Sequence, residues 1–215
     1  MDPDYESLLW DESRDIAQFL DEIDDSDFGV ASLCEGWRVS DVVGHMILGH
    51  TTPMPSMMLA IAKYGFNVPK GSKEMSHEYG STHSPDQIRT AWTGVADDHT
   101  LNGISRVIPK KEGFTDHLIH NQDMRRPLGR PREIAPERLS AALDALPTIG
   151  GFLKSKQRMK GLKWVATDID WSWGEGSEVQ GAAEPLILAA AGRPAVLDEL
   201  SGDGVATLKI RMPGG

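Results

Sequence analysis

Residues Tyr5 to Ile23 set Leu8, Leu9, Ile16, Phe19, Leu20 and Ile23 along one helical stripe, with acidic residues between them. A stripe at this spacing must bury itself against other helices, which makes a helical bundle the expected frame. The pattern continues. A second helix is expected from Val39 or Ser40, with Ser40 as its N-cap and Asp41 at the positive helix end. Val42, Val43, Met46 and Ile47 form its apolar side. Pro53 and Pro55 should interrupt it, and Met57, Met58, Leu59, Ile61 and Ala62 resume a helix as far as Tyr64. The stretch Gly65 to His83 reads as a long loop of the kind that forms lids. Ser84-Pro85-Asp86-Gln87 is a helix start, since Ser caps, Pro suits the first turn and Gln stands three residues on. Ile88, Trp92 and Val95 give that helix its inner face. A further helix is expected over about 111–126, then a linker over 131–136. Residues 137–160 read as helical, with breaks at Pro147 and at Gly150-Gly151.

After Gly161 the pattern changes. Leu162 to Trp171 is rich in β-branched and aromatic residues and favours a strand. Glu178 to Gln180 reads as a second short strand, and Ala182 to Ala191 as a helix stopped by Gly192. Val205 to Met212 alternates well enough for a final strand. The expected fold class is therefore mainly α. A helical bundle over residues 1–161 is followed by a small α/β domain over 162–215.

Charge and composition narrow the functional classes. There are 32 Asp plus Glu against 22 Lys plus Arg, a formal charge of -10, so a phosphate backbone is repelled rather than attracted. No apolar run approaches the ~20 residues that cross a bilayer. The start, Met1-Asp2-Pro3-Asp4-Tyr5-Glu6, is unlike a secretion signal, and the single cysteine, Cys34, allows no internal disulfide. These features lead us to expect a cytoplasmic protein, monomer or homodimer, that handles small molecules without nucleic-acid or membrane partners.

Two stretches carry candidate metal chemistry. Asp116 and His120 stand four residues apart and share a helix face, with Asp123 one turn further on. His45, following the apolar residues of the second helix, is the best candidate for a third ligand from another helix. Three protein ligands would leave a catalytic zinc one open position. His117 points about 100° away from His120 on an ideal helix. His50, His77, His83 and His99 read as surface or loop histidines. Cys34 is open to two readings, a nucleophile or, more commonly for an isolated cysteine, a small buried residue. Trp37 reads as a core anchor, and Met46, Met54, Met57 and Met58 read as core or as the lining of a pocket under the metal.

Taken in order, these pieces resemble the mycothiol-dependent maleylpyruvate isomerase family, within the wider DinB-like metal-binding four-helix bundles. The resemblance is carried by Cys34-Glu35-Gly36-Trp37, by Asp41-Val42-Val43-Gly44-His45, and by Asp116, His120 and Asp123 in the family's E-x-x-x-H-x-x-D pattern. It extends through Thr167 to Ser172, Gly174 to Gly176, Glu178-Val179, Gly181, Ala189 to Arg193 and Leu197 to Gly204. It implies a divalent metal, zinc by type, held by His45, Asp116 and His120. It also implies mycothiol as a thiol cosubstrate and an isomerase or S-transferase acting on a small electrophile through a metal-bound thiolate. Asp116 stands where the family has Glu, one methylene longer. Asp123 would act in catalysis by orienting His120. Arg125 and Arg126 read either as charges that complement the C-terminal end of their helix or as candidates for binding an acidic or sugar ligand. The alternative is a non-catalytic bundle that binds a metal or small ligand.

Overall fold

The apolar stripes fold as their spacing dictates. In this computed structural model, residues 3–149 and 153–212 are described. The chain divides into two units, Asp4–Pro131 and a second running from Arg132. In the first unit, α1 (Tyr5–Glu22), α2 (Val39–Thr51), α5 (Pro85–Asp97) and α6 (Lys110–Arg125) form a four-helix bundle. Helix α1 packs on α5 and α6, and α2 packs on α5. Its core joins Ile16, Phe19 and Leu20 of α1 to Val42, Val43, Met46 and Ile47 of α2, Ile88 and Trp92 of α5 and Met124 of α6. The expected helix start at Ser84 is present. The Ser84 hydroxyl accepts from Gln87 N–H, and the Gln87 side chain accepts from Ser84 N–H at 2.8 Å.

Pro53 separates α2 from α3 (Met54–Ala62) as expected, whereas Pro55 sits in the first turn of α3, where proline is tolerated. Two expectations in this unit fail. Ser40 is not the cap of α2. The helix begins at Val39, one of the two expected starts, with Arg38 at the cap position, and the buried Asp41 carboxylate reaches back to accept from Arg38 N–H at 2.8 Å. The expected loop over 65–83 is in fact helix α4 (Val68–Thr82), packed along α2. Few large apolar residues hold it there. Glycines let the two helices approach closely: a Cβ at Gly80 would stand 3.0 Å from backbone atoms of Ser40 and Asp41, and one at Gly44 would stand 3.0 Å from the Tyr79 ring. A polar network adds to this. The Asp41 carboxylate accepts from the Arg38 guanidinium at 2.7 and 3.0 Å and lies 3.0 Å from His77 Nδ1 on α4.

The second unit holds α7 (Pro136–Ala145), α8 (Ser155–Met159), α9 (Ala183–Ala190) and α10 (Gly204–Ile210) around a three-stranded sheet. The sheet order is β2-β1-β3, from β1 (Leu162–Ala166), β2 (Ser172–Trp173) and β3 (Ser177–Gly181). Strand β1 runs antiparallel to β2 and parallel to β3, and buries Leu162, Trp164 and Ala166 on one face. The boundary expected at 161/162 therefore falls inside this unit, because α7 packs on α9. The expected break at Pro147 is a short 3-10 turn over Leu146–Thr148, while that at Gly150-Gly151 lies outside the described residues. The expected strand over 205–212 is helix α10. Pairing beside β3 stops after one bridge, Gln180 with Ser201, because Gly202 at φ 102° turns the chain away.

Candidate metal centre

Helices α2 and α6 bring His45, Asp116 and His120 together, with one donor atom from each lying within 4.8 Å of the others. Asp116 Oδ1 is 3.5 Å from His120 Nε2. The other edge of each imidazole is held. His120 Nδ1 donates to Asp123 Oδ2 at 2.9 Å, and His45 Nδ1 lies 3.2 Å from Ser72 Oγ on α4. His120 thus turns Nε2 toward Asp116, and outer partners of this kind are how metal-binding histidines are oriented. Trp37 packs against the bundle core as expected, and its ring also stands edge-on to His45 at 5.4 Å. A cavity of about 60 Å³ adjoins His45 and Asp116 and is lined also by Met46, His50, Ser105 and His117 among others.

Electrostatics favour a positive charge here. Burial alone would lower the His120 pKa, but Asp116, with hydrogen bonds to Asp123 and Cys34, holds it well above the ordinary value. The same carboxylates that favour a protonated ring would favour a bound cation in its place. Replacing Asp123 by Asn removes the charge behind His120. It is expected to lower metal affinity about 10–100-fold, read by competition with a chromophoric chelator.

Sequence reasoning missed two buried histidines. His50, expected at the surface, is buried, and its Nδ1–H donates to Thr100 O at 2.7 Å. That bond fixes its tautomer, so His50 Nε2 accepts from His117 Nε2–H at 3.0 Å. His117 Nδ1 in turn meets the Ser13 hydroxyl at 3.1 Å. The available signal was the i, i+4 spacing of Ser13 with Leu9 and Ala17 on the buried face of α1, which offered a polar partner inside the bundle. Among the others, His77 faces Asp41, His83 caps the end of α4, and His99 stacks on Trp10. Of the methionines, Met46 is core while Met58 is exposed.

Burial, then repulsion from His50, pushes the His117 pKa down to about 3, and burial also lowers that of His50. Below the ordinary value of 6.5 the unfolded chain binds protons that the folded rings refuse, so stability falls as pH drops from 6.5 toward about 3. Thermal melts across that range should show this decline, with a shallower slope in His117→Gln.

Arg125 and Arg126 do not line the cavity. Arg125 is buried, its Nε donating to Asn121 Oδ1 at 2.8 Å and its guanidinium lying 4.3 Å over the Phe19 ring. Asn121 Nδ2 donates to the buried Glu12. Arg126 is the C-cap of α6.

Residues 9–101 match the family described as the mycothiol maleylpyruvate isomerase N-terminal domain. The resemblance is to the mycothiol-dependent maleylpyruvate isomerase family. Two crystal structures of the mycothiol-dependent maleylpyruvate isomerase share the fold, each with TM-score 0.59 over 93% of this chain and 91% of that chain. One is 19% identical, and the other, a histidine-to-alanine mutant, is 18% identical. No curated protein matches the sequence. The span matched to the maleylpyruvate isomerase domain contains His45, while Asp116 and His120 lie beyond it and share only the likeness in fold.

Proposed function

We propose that this chain is a metal-dependent, mycothiol-using enzyme that either isomerises a small electrophilic substrate or transfers the thiol to it. The observation that carries this reading is the convergence of His45, Asp116 and His120 beside a cavity, within the fold of the maleylpyruvate isomerases. A divalent ion, zinc by the donor set, supplies when bound a Lewis acid that lowers a thiol's pKa into the neutral range. His45, Asp116 and His120 would hold it, which leaves the cavity side for the thiol.

The chain's other residues position and shield. Ser72 and Asp123 lock the two imidazoles so that neither ring turns its donor away. Asp123 stays buried and accepts from His120, which makes it a positioning residue. Trp37 limits water beside His45. The Ser105 hydroxyl is buried without a hydrogen-bond partner among the described residues and lines the cavity, so it offers one polar contact to whatever enters. Arg125 serves the α1–α6 packing, so recognition of an acidic cosubstrate does not rest on it.

The test is turnover of mycothiol with maleylpyruvate, and with a panel of small electrophiles, by protein stripped of metal and reloaded. Activity that appears only on reloading supports the proposal. Stoichiometric metal with no thiol-dependent turnover on any substrate would instead identify a binding bundle.

A further inference from the structure

The His120 ring has two usable edges, and only one faces the site described above. Its Nδ1 edge meets a second set of donors, Asp123 Oδ2 at 2.9 Å and Cys34 Sγ at 3.8 Å. Cys34 Sγ is itself 3.1 Å from Asp123 Oδ2. These three atoms close a triangle. At ordinary zinc–ligand lengths, the ligands of a tetrahedral ion stand about 3.3–3.6 Å apart. The triangle is therefore already close to the size a four-coordinate ion needs, and these residues group as a possible ligand set separate from the first. Asp123 is fully buried while Cys34 is partly exposed, so the approach is from the Cys34 side.

We propose that Cys34, His120 and Asp123 form a second cation site, suited to soft divalent ions such as Cd²⁺, which shares His120 with the first site and competes with it. The proposal rests on the reading of His120 as a metal ligand. A neutral imidazole carries one lone pair and one N–H. With an ion at Nε2, Nδ1–H donates to Asp123. With an ion at Nδ1, the ring takes the other tautomer and Nε2–H donates toward Asp116. One ring thus serves one ion at a time.

The two sites differ in charge and softness. Binding at the second site releases the Cys34 thiol proton to solvent and forms a metal–sulfur bond, with no change in oxidation state. The Cys34 thiolate and the Asp123 carboxylate then cancel both charges of a divalent ion. At the first site Asp116 alone leaves a net positive charge. A thiolate also selects softer ions than an imidazole–carboxylate set does. A soft ion should therefore settle at Cys34 and empty the first site.

The test is spectroscopic titration of untagged, metal-free protein with Cd²⁺. Cys34 is the only cysteine, so a sulfur-to-metal charge-transfer band can come from nowhere else in the chain. The expected result is a band saturating at one equivalent, retained in His45→Ala and lost in Cys34→Ser; in a parallel titration of zinc-loaded protein, Cd²⁺ should release the zinc. Cd²⁺ binding without the band overturns the second site and leaves the proposed function standing. A band that disappears in His45→Ala also overturns it, since Cys34 would then be a fourth ligand of one shared site. Failure of wild-type protein to bind either Cd²⁺ or Zn²⁺ overturns both readings.

Discussion

His120→Ala is expected to abolish stoichiometric binding of a divalent ion and, with it, thiol-dependent turnover. Three features make this the most damaging single change. His120 supplies a donor on the α6 side, it sits between Asp116 and Asp123, and its ring stands 5.3 Å from that of His45. Its loss also leaves the buried Asp123 carboxylate without its imidazole partner, which adds a stability penalty. The fall in affinity should exceed the ~100-fold upper range seen when only an outer partner of a ligand is removed. His45→Ala should lose zinc from the first site as well but keep the Asp116–His120–Asp123 arrangement on α6. Metal analysis after dialysis, with circular dichroism to confirm folding, is the measurement. Full metal content in both variants would end the proposal.

Asp41→Ala is expected to destabilise the first unit by about 3 kcal/mol, the lower end of what breaking a buried ion pair costs. The lower end applies because the Arg38 side chain keeps 39% exposure while Asp41 has none. The carboxylate does three jobs. It caps α2 through Arg38 N–H, it accepts from the Arg38 guanidinium, and it meets His77 on α4. Arg38 also donates to Ser81, which brings α4 into the same network. Asp41→Asn should cost less, since it keeps an acceptor but loses the charge. Urea unfolding gives the comparison, and a change below about 1 kcal/mol in Asp41→Ala would show that α4 is held by other means.

The same helix shows where the sequence is legible and where it is not. The bundle helices announce themselves because each buries a stripe of large apolar residues, as Ile16, Phe19 and Leu20 do on α1. Helix α4 carries no such stripe. It is held by glycine contacts at Gly44 and Gly80 and by a polar network, neither of which leaves a periodic apolar signal. Helix α10 fails for the opposite reason. Val205, Leu208 and Ile210 fit a strand or a helix equally over so short a run, and the turn at Gly202 decides between them. At the candidate site, the Asp116–His120–Asp123 pattern is visible because one helix places all three. Ser72 and the His50–His117 pair are not, since their roles depend on partners 27 and 67 residues away.

The exposure of the proposed ligands on α6 is uneven. The Asp116 side chain is 44% exposed and that of His120 only 9%. At the proposed site an arriving ion would meet the Asp116 carboxylate before the His120 imidazole, and a chelator drawing the ion out would displace that same oxygen first. Exchange rates should therefore follow the chemistry of residue 116. Restoring the longer carboxylate with Asp116→Glu should slow extraction by a chelator more than it changes the final occupancy.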